Sequence, residues 1–414
     1  MLEWMQIILP ALAIVLFAAA TVRGAVRCFA SPEAPLEERA PAPLVRRVGI
    51  VCAACVLAMQ AVLLAVAVHQ DPGVPLTEAA ARFFSSGIDA GHYIQIAQYG
   101  YSATDTVPDL HLFIVFFPLF PALLRWVNPL GLVDWYLTAL AVQPVLFGLA
   151  GAALYSLVYE GYGRSAANRT MLFLAAFPGS FFFALPMTES LFLLVTAWYF
   201  LCLQRRRWLW CGVAGVLAGL CRAPGAVLAG AAAVWMVQQV WHTRRRPPRG
   251  AWWALAGPLL GIGIYLGINQ KIYGDPFAFS AFQSEHWHNR LGWFWETVRY
   301  HLGYLAGWWA DNRASALCIS LAAVLCILVQ LGVFAAAAGK MRVHQLAFGV
   351  AVTVITTGVS WLISAPRYAA ALLVLPLGFS LVLRNRWARY AVLALLAAAN
   401  LAYFSQYLQH GPVY

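Results

Sequence analysis

Charged side chains are scarce in this sequence. Only 10% of its 414 residues are charged and 62% are hydrophobic, whereas a soluble globular domain carries about 25% charged residues. Apolar stretches long enough to cross about 30 Å of hydrocarbon recur along nearly the whole chain. The composition excludes a soluble protein and predicts a single all-α polytopic membrane protein, without room for a second domain.

Several functional patterns are also absent. The eight cysteines all lie within or beside apolar runs, which argues against a disulfide framework and against paired CxxC metal sites. No basic and aromatic pattern typical of RNA binding is present, so the formal charge of +11 indicates cytoplasmic loops obeying the positive-inside rule rather than a nucleic-acid partner. The first apolar run, near 5–22, is followed by arginines and not preceded by them, which predicts a retained helix rather than a cleaved signal peptide.

Clusters of arginine give the orientation, and we place them in the cytoplasm. They are Arg23 to Arg47, "RRR" at 205–207, "TRRRPPR" at 243–249, "KMR" at 340–342 and "RNRWAR" at 384–389.

Three apolar runs have such clusters at both ends and are too long for one crossing, so each must be a hairpin that returns to its own side. Their centres carry "LPMTES", "CRAPG" and "SAPRY", which predicts Glu189, Arg222, Arg367 and Tyr368 at outer tips. The run from 48 to 69 starts at cytoplasmic arginines and delivers Asp89 to the same outer face.

The segment "HLFIVFFPLFPALLRWV" at 111–127 is apolar but contains Pro118 and Pro121. If it crossed the membrane, Glu189 would move to the cytoplasmic side, so we interpret it as a re-entrant or interfacial helix. The outer loops then span about 70–130 and about 269–313. About twelve crossings follow, near 5–22, 48–69, 131–158, 169–186, 188–203, 208–222, 224–241, 251–270, 314–337, 345–363, 368–383 and 390–408.

Ionisable side chains at membrane depth are costly and are therefore candidates for function. Asp89 could cap the helix that follows it, or it could be a general base on the same helical face as His92 and Tyr93. Glu189 could simply end a hairpin in water, or it could be a functional residue. The sequence does not decide between the two interpretations of either carboxylate.

Cations on the outer face also have two interpretations. Arg222 and Arg367 could snorkel to lipid headgroups, or they could hold a phosphate-bearing lipid through their guanidinium forks. The second outer loop adds further ionisable residues: Lys271, Asp275, Glu285, His286, His288 and Arg290. Its "EHWHN" is a weak metal signature, because histidines two apart cannot share a helix face and a third ligand is not identified.

Five stretches in this order resemble a known family: "GIDAGHYIQIAQYGY", "FFPLFPALLR", "FPGSFFFALPMTESLFLL", "GLCRAPG" and "SAPRY". They are similar to the PIG-V family of mannosyltransferases, the second mannosyltransferase of glycosylphosphatidylinositol assembly and its bacterial relatives. The resemblance covers about residues 80–370. Eukaryotic members often carry a tryptophan where this chain has Ile88.

The resemblance implies a GT-C glycosyltransferase, a multi-spanning enzyme that takes sugar from a polyprenyl-phosphate donor on the non-cytoplasmic side. The catalytic base in the first outer loop would be Asp89, and the reaction would be a metal-independent, inverting displacement without a cofactor. Residues 1–47 would be an extra N-terminal helix and cytoplasmic linker, and 48–414 the transmembrane catalytic domain.

Other residues take roles within this mechanism. The arginines and Lys271 would neutralise the leaving phosphate, and the remaining side chains would hold sugar or acceptor. The residues expected to bind the donor phosphate are Arg222, Arg367 and Lys271. The residues expected to bind sugar or acceptor are His92, Tyr93, Glu189 and Tyr368.

The expected location is a bacterial inner membrane, with the site facing the periplasm or exterior. Mannose is the sugar that the family implies, and the acceptor could be a lipid, a glycan or a protein. Two alternatives stay open. A transporter or flippase for a lipid-linked saccharide would show midplane charges and a repeat of broken helices, and the sequence has no evident repeat of this kind. A non-catalytic subunit would retain the fold without needing Asp89.

Overall fold

The computed structural model describes residues 2–86, 88–102 and 108–414. Gly87 of the first motif and residues 103–107 of the first outer loop lie outside the described residues. The described chain is helical throughout and forms no named strand. Its α-helices are α1 Leu2–Ala30, α2 Ala42–Gln70, α3 Leu76–Ser85, α4 Ala90–Tyr99, α5 Leu119–Val127, α6 Trp135–Tyr162, α7 Arg164–Ala176, α8 Glu189–Gln204, α9 Trp208–Cys221, α10 Val227–Thr243, α11 Trp252–Tyr273, α12 Ala278–His286, α13 Phe294–Asp311, α14 Arg313–Ser315, α15 Ala322–Ala337, α16 Val343–Thr357, α17 Ala365–Ala370, α18 Val374–Val382 and α19 Arg386–Leu408.

Shorter helical turns connect several of these elements. A π-helical segment joins α14 to α15 without a break in the rod. The 3-10 helices are Pro108–Val115, Ser180–Ala184, Ala223–Ala226 and Arg249–Ala251, and the π-helix is Ala316–Leu321.

Within the described residues, seven helices are long and apolar enough to cross a membrane. Each matches one of the predicted crossings, which confirms a helical membrane architecture. These seven are Glu3–Ala30, Ala42–Gln70, Trp135–Tyr162, Ala223–Thr243, Arg249–Tyr273, Arg313–Ala337 and Arg386–Leu408. The other five predicted crossings are shorter or interrupted, so the count of about twelve stays a prediction.

Prolines explain two of the interruptions. The predicted helix over 169–186 ends at Ala176, because Pro178 forces the preceding Phe177 into an extended conformation (φ −66°, ψ 137°). The predicted helix over 368–383 is divided into α17 and α18, because the ring of Pro376 clashes with the carbonyl group of Leu372 in a continuous helix. Both breaks lie inside continuous apolar stretches, so hydropathy alone predicts one helix where the structure has an interruption.

The segment interpreted as re-entrant or interfacial is bent. The 3-10 helix Pro108–Val115 meets α5 at an angle of 116°, and Pro118 occupies the N-cap of α5. A bent pair of this kind is either a broken span or a re-entrant loop, and the geometry is compatible with both. Its inner aromatic residues reach the candidate site described below.

The N-terminal helix is integrated into the bundle. Helix α1 packs against α13, α15 and α16. The linker that follows it is held by an ion pair of 2.6 Å between Glu33 Oε1 and Arg342 Nη1, and Trp235 Nε1 donates to Glu33 Oε2 at 3.0 Å. Residues 1–47 therefore form part of the bundle surface rather than a separate unit.

Candidate functional site

A cavity of about 860 Å³ lies where the predicted outer tips converge. This volume is in the range of small-molecule sites. Most of its lining comes from the start of α4, the end of α9, the stretch 352–372 and the second outer loop, and residues 115–117, Phe192 of α8 and Tyr414 complete it. Of the predicted site residues it is lined by Asp89, Tyr93, Arg222, Arg367 and Tyr368.

Asp89 occupies the N-cap position of α4, but its side chain does not cap the helix. The carboxylate instead accepts a hydrogen bond from Arg367 Nη1 at a distance of 2.6 Å from Oδ2, and the Asp89 side chain is 32% exposed. Burial disfavours the charged form, but the charge and hydrogen bond of Arg367, together with smaller effects of His92 and Arg222, outweigh burial, so the pKa of Asp89 lies below its ordinary value. Of the two interpretations of Asp89, the capping role does not describe what the side chain does.

Glu189 begins α8 and is completely buried. Its Oε1 accepts from Arg367 Nε at 2.5 Å and from Arg222 Nη1 at 3.0 Å. The mechanism implied by the resemblance assigned Glu189 to sugar or acceptor hydroxyls; in the structure it is not among the residues that line the cavity, and its carboxylate contacts the two arginines. A position along a hairpin gives the side of the membrane but not the depth below the surface.

The two arginines are therefore joined to two carboxylates in one network of formal charge zero. Arg367 bridges Asp89 and Glu189, which a guanidinium can do because it carries five donors. The Tyr368 ring lies 5.2 Å from the Arg222 guanidinium and 5.8 Å from that of Arg367, on the cavity wall. Asp89 contacts Arg367 directly, whereas Arg222 joins the network through Glu189.

Two glycines permit the close backbone approaches that position these arginines. Gly179 has φ +87°, and a Cβ there would lie 3.2 Å from the carbonyl carbon and oxygen of Pro366, directly before Arg367. A Cβ on Gly225 would lie 2.0 Å from the carbonyl oxygen of Ala218, in α9, whose C-cap is Arg222. The motifs "FPGS" and "CRAPG" are thus structural supports of the charge network.

Helix α19 fixes one of these supports from outside. Asn400 Oδ1 accepts from the Gly179 backbone N–H at 3.0 Å, and Asn400 Nδ2 donates to Ser180 Oγ at 2.9 Å. Helix α19 therefore holds in place the turn at Gly179, against which the backbone before Arg367 packs.

His92 and Tyr93 lie in an aromatic cluster next to the network. The His92 ring stacks on Phe116 at 4.8 Å, and Tyr93 meets Phe116 edge-on at 5.2 Å. His92 is not among the residues that line the cavity. Burial lowers the pKa of His92 despite the opposing effect of Asp89, so its ring is neutral at pH 7.

The second outer loop is attached across the cavity. Leu291 and Val359 form an isolated antiparallel bridge, with Gly292 N–H donating to Gly358 O at 2.8 Å and Ser360 N–H donating to Arg290 O at 2.8 Å. Residues 277–291 of this loop thereby contribute much of the cavity wall.

Arg290 is a cavity residue to which the sequence assigned no role. Its Nε donates to Ser284 Oγ at 2.7 Å, and it forms no ion pair with a described carboxylate. Lys271, predicted as a phosphate ligand, is exposed in the last turn of α11 and does not line the cavity. Arg290 directly precedes Leu291, whose bridge to Val359 brings this part of the loop to the cavity. Leu291 and Val359 are 68 positions apart, so no local sequence pattern could have identified Arg290.

Metal ligands are not clustered in the part of the chain that the structure describes: no group of three or more His, Cys, Asp or Glu side chains is placed to hold a metal ion. The two histidines of "EHWHN", His286 and His288, are both exposed.

The geometry of the site can be compared with known proteins. Protein-family models, curated proteins and solved structures give no match to this chain. The resemblance to the PIG-V mannosyltransferases therefore stays a prediction carried by the five sequence stretches. The structure adds that residues from four of these stretches, Asp89, Glu189, Arg222 and Arg367, meet in one ion-paired network beside a cavity.

Proposed function

We propose that this chain is an integral-membrane glycosyltransferase that moves a hexose from a polyprenyl-phosphate donor to an acceptor hydroxyl. The observation that carries the proposal is a partly exposed carboxylate, that of Asp89, which lines a cavity of about 860 Å³ together with Arg222, Arg290 and Arg367. A base and a set of cations facing one cavity are what displacement of a phosphate leaving group requires.

The reaction begins with the acceptor hydroxyl next to Asp89. Its oxygen attacks the anomeric carbon of the donor sugar while its proton passes to the Asp89 carboxylate. The bond between the anomeric carbon and the phosphate oxygen breaks, and both electrons of that bond leave with the polyprenyl phosphate. The configuration at the anomeric carbon is inverted, and neither an oxidant nor a metal is consumed.

The charge balance of the cavity suggests where the donor phosphate binds. Arg222 and Arg367 are already paired with Glu189 and Asp89, so the network alone offers no net positive charge. Arg290 lines the same cavity without a carboxylate partner among the described residues. We therefore assign Arg290, rather than Lys271, to the donor phosphate, with Arg222 and Arg367 contacting its remaining oxygens.

The apolar wall of the cavity suits a lipid chain. Helix α16 contributes Val352 and Ile355, and the second outer loop contributes Phe277 and Phe279. Val352 is buried, whereas Ile355 and Phe277 are more than a third exposed. Such a surface gives the polyprenyl chain a path from the cavity to the surrounding lipid.

The test is transfer of labelled mannose from polyprenyl-phosphate mannose to the acceptor fraction of the producing cell's own membranes. Asp89→Asn should lower the rate by about 10²- to 10⁴-fold, the usual contribution of a general base. The matched control is Asp134→Asn, because Asp134 is also a helix N-cap carboxylate, at the start of α6, where it accepts from the Leu137 N–H at 3.0 Å and lies outside the cavity.

Transfer by Asp89→Asn at the parental rate would refute this mechanism. Movement of the intact donor across proteoliposome membranes, unchanged by Asp89→Asn and without transfer, would favour a transporter instead.

A further inference from the structure

A second cavity, of about 500 Å³, lies at the opposite end of the bundle. Helix α8 connects the two ends: it begins at Glu189 beneath the first cavity and ends about 24 Å away, by 1.5 Å per residue, at Gln204. Gln204 Nε2 donates to Leu157 O at 3.4 Å, one and a half turns before Tyr162 of the second cavity. The arginine clusters predict that this end is cytoplasmic.

Four cations from four separate segments line this cavity. Arg27 comes from the end of α1, Arg169 from α7, Lys340 from the turn after α15, and Arg384 from the stretch after α18. Tyr162, Ala166, Gly339 and Leu381 complete the lining.

Two of the cations are fixed in place by the backbone of neighbouring segments. Arg27 Nη1 donates to Met341 O at 2.5 Å and to Ala338 O at 3.1 Å. Arg169 Nε donates to Ser380 O at 3.1 Å, and its Nη1 donates to Ser165 Oγ at 2.7 Å. These contacts orient the guanidinium groups without neutralising their charge.

Among the described residues, no carboxylate lines the cavity and none forms an ion pair with its four cations. At this end of the bundle Glu160 is paired with Arg205 and Glu33 with Arg342, and the linker residues Glu37 and Glu38 are exposed. The four cavity cations therefore carry about four uncompensated charges in one concave space. The positive-inside rule requires cations in the cytoplasmic loops, but it does not require them to converge from four segments on one cavity.

We propose that this cavity binds a phosphate group carried by an anionic lipid headgroup or by a soluble phosphate. Fixed guanidinium forks hold phosphate oxygens in pairs, and basic cavities between helices on the cytoplasmic side suit anionic headgroups. The site is independent of the proposed transferase reaction. It also gives α1 a role, since this helix supplies Arg27.

The test compares two double variants of the full-length protein, purified in a neutral detergent. Lys340→Gln/Arg384→Gln removes the two exposed cavity cations, for which the structure shows no carboxylate partner. Arg245→Gln/Arg246→Gln removes the same charge from an exposed cytoplasmic segment away from the cavity. The measurement is the shift of the thermal unfolding midpoint on adding phosphatidylglycerol, phosphatidylcholine or inorganic pyrophosphate.

Phosphatidylglycerol should raise the midpoint of the parent and of the control variant by several degrees, and the shift should fall by at least half in the cavity variant. Stabilisation by phosphatidylglycerol alone identifies a lipid headgroup, and stabilisation by pyrophosphate as well identifies a soluble phosphate as a further ligand. Equal shifts in both double variants, or stabilisation by phosphatidylcholine to the same extent, would overturn the proposal.

Discussion

Substitution of Glu189 by Gln is the most direct test of the charge network. The Glu189 carboxylate is completely buried, and one oxygen accepts from both Arg367 and Arg222. In Glu189→Gln the same site keeps its volume but loses its charge, so one guanidinium in the network is left uncompensated. Breaking a buried ion pair on one side typically costs about 3–5 kcal/mol. We expect about 3 kcal/mol here, because the amide oxygen of Gln still accepts one hydrogen bond.

The matched control is an ion pair on the surface. Glu78 accepts from Arg82 four residues later at 2.5 Å, and both side chains are about half exposed. Glu78→Gln should change the free energy of unfolding by at most about 0.5 kcal/mol. Both variants are unfolded by sodium dodecyl sulfate in mixed micelles and followed by tryptophan fluorescence.

A double variant separates charge from packing. Glu189→Gln/Arg222→Gln returns the network to one carboxylate and one guanidinium, so its destabilisation should be smaller than the sum of the two single changes by about 1 kcal/mol, a typical coupling between contacting residues. If Glu189→Gln is as stable as Glu78→Gln, or if the double variant is destabilised by the sum of its single changes, the network is not what holds these helix ends together.

Three further predictions concern the cavity and its supports. Because the pKa of Asp89 is lowered, its carboxylate is fully charged at neutral pH and loses its charge only as the pH falls through that lowered value. The kcat/KM of transfer, which reports the free enzyme, should therefore be flat from pH 7 to about 5 in a pH profile with protein stability checked at each point. A fall in kcat/KM with a midpoint near pH 6 would contradict this. Arg290→Gln should raise the KM for the polyprenyl-phosphate donor about tenfold with unchanged folding, because one charge-assisted hydrogen bond is lost. Arg299 is exposed outside the cavity, so Arg299→Gln should leave this KM unchanged. Gly179→Ala should lower the free energy of unfolding by about 1–2 kcal/mol, because Gly179 has a positive φ. Gly230 lies in a helix with open space at the Cβ position, so Gly230→Ala should not be destabilised. Equal stability of the two variants would contradict the claim that the turn at Gly179 requires glycine.

The sequence predicted several of the residues that the structure places on one cavity. The arginine clusters placed Asp89, Arg222 and Arg367 on one side of the membrane, and the structure places all three on one cavity. The seven long helices also follow directly from hydropathy, because an apolar run of more than 18 residues leaves few other possibilities.

The parts that could not be predicted depend on depth and on long-range contacts. A hairpin tip predicts the side of the membrane for Glu189, but only the packing of neighbouring helices decides that its side chain is fully buried. The cavity wall formed by the second outer loop depends on a bridge between Leu291 and Val359, two segments that are unrelated in local pattern. Lys271 and Arg290 could not be ranked without that bridge, since both are cations of the same loop.

Under the proposed function, the network would link donor binding to the basicity of Asp89. Arg367 Nη1 lies 2.6 Å from Asp89 Oδ2, and this guanidinium is the main group that lowers the pKa of the carboxylate. A carboxylate with a lowered pKa is a weak base, which suits it poorly to accept a proton from a hydroxyl. Under the proposed function, a donor phosphate that enters beside Arg290 competes for the same Arg367 donor. Asp89 then loses part of its neutralising partner, its pKa rises, and its basicity increases when the leaving group is in place. Glu189 keeps Arg367 in position during this exchange, because it holds the guanidinium through Nε rather than through Nη1.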